Sequence, residues 1–320
     1  MAKFRIIILL LLCLVAPVVQ AQQTFRIVEW NVENAFDTCH DEGKNDQEFL
    51  PDGSHHWTRS RYWRKLDEIS KTIVALGDTL GLPPVVGLVE VENDTVLHDL
   101  TRRSPLRTAG YRYVMTDSPD IRGVDVALLY HPAHFRLLNH HSIRVPSAEH
   151  GFRPTRDILY ASGLLTSGDT LHLLVCHLPS KAGGVKNAGK HRKLVIQTLR
   201  SAIDSVLALC PTVQLAVLGD FNATPRESTF KQLCPPLRET LPTSRRELNR
   251  PIGTYLFQGL WSYLDHILVS PAVHTRGKAQ EARLPHLLEE DGRPNRTYLG
   301  PNYHGGISDH LPLYLDIAIP

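Results

Sequence analysis

The sequence predicts an α/β chain in which two mostly antiparallel β-sheets pack face to face and carry helices on their outer surfaces. Three features predict it. Apolar runs of strand length recur from Phe25 to Ile319, many of them bounded by Gly, Pro, Asn or Asp, where a buried helix would need about ten residues or more. One long amphipathic helix falls in each half of the chain. No linker-like gap is long enough to separate two domains, so residues 22–320 read as one.

Taken in order, Phe25 to Val32 is the first strand and ends among polar Asn31, Glu33 and Asn34. Arg59 to Leu76 follows as a helix, with Leu66, Ile69, Ile73 and Leu76 on one face and charges on the other. Val85 to Val91 is a near-continuous apolar strand interrupted by Glu90, and Asn93 can cap a short helix to about Arg103. From Tyr111 onward the spacing shortens, giving strands over Tyr111 to Met115, Val124 to Tyr130, Phe135 to Val145, Ile158 to Leu165 and Leu171 to His177. Turn residues punctuate them, which is the pattern of antiparallel pairing rather than of repeated βαβ units. The second long helix covers about Asn187 to Leu209 on the stripe Leu194, Val195, Leu199, Ile203, Val206 and Leu207. Val213 to Leu218 then runs into Gly219-Asp220-Phe221-Asn222, a short helix is expected near Glu227 to Leu233, and a Pro- and Arg-rich connector spans Cys234 to Pro251. Leu264 to Val269 and Leu311 to Ile319 are the last strands. Between them Pro285 to Gly305, rich in Gly, Pro, Asn and Tyr, reads as a long ordered loop of a kind that is often functional.

The first 21 residues have the form of a secretory signal: Lys3 and Arg5, an apolar run from Ile6 to Val19, and small residues suited to cleavage after Ala21. The mature chain is therefore expected to be secreted or periplasmic, and no later stretch is apolar enough to span a bilayer. Two of the 35 Lys and Arg residues lie in this segment, which has no acid, so 33 basic and 33 acidic side chains remain beyond it. A formal charge of zero excludes a generally basic nucleic-acid-binding domain. It leaves local clusters, Arg59, Arg61, Arg64 and Lys65, and Lys186, Lys190, Arg192 and Lys193, which read as solvated helix faces. Cys39, Cys176, Cys210 and Cys234 are too openly spaced for a disulfide framework, with Cys210 and Cys234 a candidate pair only.

Polar residues gather at the strand ends: Asn31, Glu33, Glu90, Asp125, Arg156, His177, Asp220, Asn222, Asp265, Asp309 and His310. Any one of the acids alone reads equally as a turn residue; their number points to a site, since strand ends hold ligand groups rigidly. An acid at the end of a buried strand is costly unless a cation or a donor meets it. Hard oxygen donors such as Glu90 and Asp309 suit Mg²⁺, Mn²⁺ or Ca²⁺, and no Cys/His spacing points to zinc. His177 and His310, the latter with Asp265, are candidates for base, acid or phosphate ligand, because an imidazole titrates near neutrality.

Six motifs occur in order: Trp30-Asn31-Val32-Glu33-Asn34, Leu88-Val89-Glu90-Val91, His177-Leu178-Pro179-Ser180, Gly219-Asp220-Phe221-Asn222, Leu264-Asp265-His266 and Ser308-Asp309-His310. In this the chain resembles the endonuclease/exonuclease/phosphatase superfamily, the deoxyribonuclease-I-like fold, across nearly all of residues 22–320. The resemblance implies a four-layer α/β sandwich with its site at the top of two packed sheets, and Mg²⁺- or Mn²⁺-dependent phosphoester cleavage. It assigns Glu90 as the main metal ligand, with Asn31, Glu33 and Asp309 around the cation. His310, oriented by Asp265, would meet the scissile phosphate or act as general base. Asp220 and Asn222 would position or activate water and hold the phosphate, and His177, Ser180 and Arg156 would add phosphate contacts. The chain departs from the pattern at Val89, where many relatives carry Gln before the Glu.

The substrate class this implies is nucleic acid first, then sugar, lipid or other small phosphoesters, with no obligate protein partner. A lipid-directed enzyme is expected to expose an aromatic docking loop, for which Trp57 and Trp63 are the nearby candidates. The contrasting class is a binding module that has lost catalysis. Such a protein would lack a ligand or the histidine, and here Glu90, Asp220, Asn222, Asp265, Asp309 and His310 are all present.

Overall fold

A computed structural model describes residues 23–180, 188–227, 230–242 and 253–319; the signal segment 1–21 and Lys186 lie outside these. The first sheet contains β1 (Gln23–Ala35), β2 (Val85–Val91), β3 (Arg112–Met115), β4 (Asp125–Tyr130), β13 (Gln280–Glu281) and β16 (Leu313–Ile319), in the order β13-β16-β1-β2-β4-β3. The second contains β5 (Phe135–Ile143), β6 (Ile158–Leu165), β7 (Thr170–His177), β8 (Gln214–Asp220), β9 (Arg238–Glu239) and β12 (Asp265–Val269), in the order β5-β6-β7-β8-β12-β9. Each sheet has one parallel pair, β1 with β2 and β7 with β8, and is otherwise antiparallel.

Side-chain alternation along each strand divides the protein into layers. On β1, Phe25 and Ile27 enter the core between the sheets, while Val28, Trp30 and Val32 pack the other way. That outer face is covered by helix α1 (Arg59–Ala75), through Leu66, Ile69 and Ile73, and by α2 (Asp94–Arg102), through Val96, Leu97 and Leu100. Helix α3 (Ala188–Leu207) covers the outer face of the second sheet, with Val195, Leu199 and Ile203 against Leu174, Leu215 and Val217. The order helix, sheet, sheet, helix is the four-layer sandwich. Caps fix where two helices begin: Thr58 accepts from Arg61 N, and Asn93 accepts from Val96 N.

Several local expectations change. Where a helix was expected over Glu227 to Leu233, the described residues form turns and a single 3₁₀ turn, Phe230–Gln232. The stretch Pro285 to Gly305 is less a loop than a 3₁₀ turn, Pro285–Leu287, followed by a hairpin of β14 (Tyr298–Leu299) and β15 (Asn302–Tyr303). Cys210 and Cys234 are free thiols. Lys65 is buried rather than solvated: it lies four residues before Ile69, on the packed face of α1, and its Nζ donates to Glu33 O and Thr297 Oγ1. Arg192 is likewise drawn inward and donates to Pro179 O at 2.6 Å and Phe221 O at 2.5 Å, tying the ends of β7 and β8 together. Trp57 is wholly buried with Nε1 donating to Phe36 O, so it offers nothing to a lipid surface. Among the described residues no helix is long and apolar enough to cross a membrane.

Candidate active site

The face of each strand that lines the inter-sheet core changes character at one end, and that change builds the site. On β1 the series Phe25, Ile27 continues by the same alternation through Glu29, Asn31 and Glu33. On β7, Leu171, Leu173 and Val175 lead to His177; on β8, Ala216 and Leu218 lead to Asp220. β12 runs antiparallel to β8, so Asp265 opposite Asp220 begins the strand whose Ile267 and Val269 enter the core. The apolar core is thus roofed by polar groups from both sheets.

At the centre, His310 Nδ1 is 2.8 Å from Asp265 Oδ2, and its Nε2 lies 4.0 Å from Asp220 Oδ2. Burial works against a charged imidazole here, yet Asp265, Asp220 and Asp309 outweigh it and hold His310 well above its ordinary value. Asp220 accepts from Asn222 N at 2.7 Å through Oδ1 and from Asn222 Nδ2 and Asn31 Nδ2 through Oδ2. Burial is the main cause that pushes its carboxyl up to about 7, with His310 pulling the other way. His177 Nε2 lies 3.6 Å from Asp220 Oδ2 and 3.8 Å from Glu90 Oε1. Burial keeps its imidazole neutral, well below the ordinary value, with Arg156 adding to the effect.

Glu90 reaches this centre by a bulge. Alternation from Leu88 would turn it toward the helix layer, but its backbone takes a left-handed conformation, φ 67°, where β2 slips register against β4. Its carboxylate then accepts from both Nη atoms of Arg122, at 3.0 and 2.9 Å, and from Asn34 N at 3.0 Å. Burial alone would raise this acid; Arg122, with His177, holds it far below the usual carboxylate range. Of the seven non-glycine residues with positive φ among those described, Glu33, Asn34, Glu90 and Asn222 all line the cleft. Strain concentrated this way is characteristic of functional sites.

Glu33 accepts from Thr297 N at 2.7 Å, and burial beside Asp309 pushes its carboxyl up to about 7. Asn31 Oδ1 accepts from Glu33 N at 2.9 Å, and Asp309 is held by Arg296 Nη2 at 3.0 Å. Asn31 thus lies between Glu33 and Asp220, while Glu33, Glu90, Asp220, Asp309 and His310 border one cleft of about 760 Å³. Ser180, Asn222 and Arg156 border it too. Arg156 is already engaged, with Nη1 on Asp120 at 2.6 Å, and both amide hydrogens of Asn222 go to Asp220 and Leu178 O. Asp125 does not join them. It accepts from Thr116 Oγ1, Ser118 Oγ and Ser118 N at the start of β4, which makes it a brace.

Sequence reasoning missed Arg122, the cation that answers Glu90, although an acid at a buried strand end implies such a partner. It missed Arg153 and Arg296 on the cleft as well. Also missed was Glu29, fully buried with neither carboxylate oxygen hydrogen-bonded, where burial next to Asp265 and Asp220 raises its carboxyl well above the ordinary value.

A hard divalent cation fits this donor set. Glu33 and Asp309 repel one another, all the available donors are carboxylate or amide oxygens, and a cation would relieve the repulsion. Arg122, which holds both Glu90 oxygens, would share them with any such ion. The grouping Asp220, Asp265 and His310, with ligand atoms within 4.8 Å, is a weaker candidate because His310 already spends Nδ1 on Asp265.

Gly219 sets Asp220 in place. Its φ is 146°, and a Cβ there would stand 1.8 Å from Cys176 O on the neighbouring strand. Gly219→Ala is therefore expected to cost about 3 kcal/mol of stability and to displace Asp220. Denaturant unfolding checks this, and a shift within experimental error would refute it.

A sequence model of the Endonuclease/Exonuclease/phosphatase family matches residues 26–319. Comparison with curated proteins gives no significant match. Among solved structures, the human Nocturnin catalytic domain with bound sulfate anion superposes with TM-score 0.62 at 21% identity, covering 94% of this chain and 97% of that one. A humanized D. rerio TDP2 gives 0.59 at 16% identity over 92% and 98%. A mannosyl-6-phosphatase of Bacteroides thetaiotaomicron VPI-5482 gives 0.56 at 16% identity over 92% and 99%. At these identities the likeness to each is one of fold. The sequence match, which runs from the first strand to the last, makes the chain a member of the Endonuclease/Exonuclease/phosphatase family, whose enzymes hydrolyse phosphoester bonds.

Proposed function

We propose that the chain is a metal-dependent phosphodiesterase that cleaves nucleic-acid phosphodiester bonds by attack of water, exported by way of residues 1–21 and acting outside the cytoplasm. The observation that carries this reading is the buried line Asp265, His310, Asp220 beside a cleft that Arg153 borders, together with Arg122, Arg156 and Arg296, which pair with Glu90, Asp120 and Asp309 there. Guanidinium groups match phosphate oxygens in geometry as well as charge.

A Mg²⁺ or Mn²⁺ ion held by Glu90 with Glu33, Asn31 and Asp309 would polarise a phosphoryl oxygen and steady the leaving alkoxide. His310, its Nδ1 fixed by Asp265, presents a proton-bearing Nε2 to the phosphate and stabilises charge that develops there. Asp220 faces that nitrogen and is held by three donors, so it is placed to orient the attacking water and take its proton. Asn222 and Asn31 position Asp220. Ser180 and neutral His177 complete the phosphate-facing wall.

Hydrolysis by the chain from Gln22 onward is the test, with plasmid DNA, RNA, sphingomyelin and bis-p-nitrophenyl phosphate as substrates and Mg²⁺, Mn²⁺, Ca²⁺ or EDTA present. Expected are nicking of plasmid and release of p-nitrophenol with Mg²⁺ or Mn²⁺, both abolished by EDTA. Cleavage of sphingomyelin or small esters alone would move the substrate, and silence on all four would leave a binding module.

A further inference from the structure

Asn222 stands in a backbone conformation that a side chain disfavours, with φ at 47°. A residue so placed persists only where its surroundings over-determine it. Its two neighbours supply that constraint. Phe221 and Ala223, both buried, enter the apolar layer between the second sheet and α3, while Asn222 between them borders the cleft.

Each neighbour is held by its backbone. Phe221 N donates to Leu264 O at 2.8 Å, and Phe221 O accepts from Arg192 Nη2 at 2.5 Å. Ala223 O accepts from His266 Nε2 at 2.8 Å. The carbonyls on either side of Asn222 are thus gripped from two different elements, α3 and β12. Arg192 is buried, and among the described residues its guanidinium meets two backbone carbonyls and no carboxylate within ion-pair distance. A buried cation spent on neutral acceptors is costly, so the carbonyls themselves are what it is there to hold.

His266 is placed by alternation. Asp265 opens β12 on the face between the sheets, so the next residue turns to the helix layer, where its ring meets that of Phe221 edge-on at 5.2 Å. Nδ1 lies 3.1 Å from Glu239 Oε2, which fixes the plane of the wholly buried ring. Neither Arg192 nor His266 borders the cleft. Any effect they have on the reaction passes through the residues they hold.

That residue is Asn222, which supplies two of the donors to Asp220: N reaches Oδ1 at 2.7 Å and Nδ2 reaches Oδ2 at 3.1 Å. Were φ to relax to a negative value, Cβ would swing to the other side of the backbone and carry Nδ2 away from the carboxylate. We propose that Arg192 and His266 are positioning residues of the reaction, clamping Phe221 O and Ala223 O so that Asn222 keeps the strained conformation that holds Asp220. The assignment rests on the role given above to Asp220 in orienting water.

Hydrolysis of bis-p-nitrophenyl phosphate by the chain from Gln22 onward, in Mg²⁺, tests the clamp without reference to nucleic acid. His266→Leu removes the donor to Ala223 O, and Arg192→Lys keeps the charge but loses the planar fork that spans two carbonyls. Each is expected to lower kcat about tenfold or more, as displacement of a positioned group does, with KM changed less than about threefold. His266→Gln, whose amide can donate to Ala223 O, should recover most of the loss. The stabilisation that Mg²⁺ gives in thermal unfolding should persist in all three variants. Asn222→Ala should itself lower kcat about 10²-fold, and in that background His266→Leu or Arg192→Lys should cost no more than about twofold further, because both act through Asn222. Should His266→Leu not fold, Arg192→Lys carries the same cycle. Losses that multiply in the double variants would overturn the clamp, as would unaltered kcat in folded His266→Leu and Arg192→Lys. Unaltered kcat in Asn222→Ala would remove the role given to Asp220 and the clamp with it.

Discussion

Alanine at His310 is expected to lower kcat by about 10³-fold, the range for losing a group that moves a proton or stabilises transition-state charge. The argument begins with geometry. Nδ1 is committed to Asp265 at 2.8 Å, which fixes the ring and leaves Nε2 facing Asp220 and the cleft. The interaction it makes with a developing phosphorane charge is stronger in the transition state than in the ground state, so the loss falls on kcat more than on KM. The fold should survive. His310 O, which accepts from Trp30 Nε1 at 3.1 Å, belongs to the backbone, and Asp220 can take up a proton when its cationic neighbour is gone. A pH profile separates the roles. Asp220 titrates at about 7 in the intact site, so activity should rise as pH passes through that value and the carboxyl ionises. His310 lowers that value, so the residual activity of His310→Ala should show the same rising limb moved to higher pH. Wild-type turnover by His310→Ala would sink the mechanism.

The strands and helices were legible because burial imposes its own period. β2, β6 and β12 fall within a residue of the apolar runs that predict them, as does α1. The candidate site was legible for a related reason: a polar residue that keeps the alternation of a core-facing strand, as His177 and Asp220 do, must come out between the sheets at its end. Other features depend on partners far away in the chain. Alternation cannot foresee the bulge that turns Glu90, because the slip is a property of its pairing with β4. Arg122 stands 32 residues from Glu90, in a turn that looks like any solvated loop. Asp125 has the same composition of neighbours as a site acid, and only the hydroxyls of Thr116 and Ser118 show that its charge is spent locally. Lys65 and Arg192 were read as solvated because long cationic side chains on helices usually are. Spacing marks the face of a helix but not the carbonyl at the far end of three or four methylenes. The hairpin of β10 (Tyr255–Phe257) and β11 (Leu260–Ser262) is too short, three residues a side, to leave a periodic trace.

Glu90→Ala is expected to reduce hydrolysis by at least about 10³-fold and to abolish the stabilisation that Mg²⁺ or Mn²⁺ gives the protein in thermal unfolding. Both follow from one side chain. Glu90 is the acid whose charge is most firmly maintained, because Arg122 and His177 outweigh the burial that would protonate it, whereas burial pushes Glu33 up to about 7. Near neutrality Glu90, unlike Glu33, therefore does not have to lose a proton before a cation binds. Arg122 gives a second measurement of the same point. Its guanidinium occupies both oxygens of Glu90 and also donates to Asn34 Oδ1 at 2.5 Å, so removing it leaves a mostly buried carboxylate without its countercharge. Breaking such a pair costs several kcal/mol when both partners are buried, and less here because the Arg122 side chain is 42% exposed. Arg122→Ala should consequently melt at a lower temperature in EDTA and recover more on adding Mg²⁺ than the unaltered protein does. Glu90→Ala should recover nothing. If both variants respond to Mg²⁺ as the unaltered protein does, the cation is not held by Glu90, and Asp220, Asp265 and His310 become the ligands to test next.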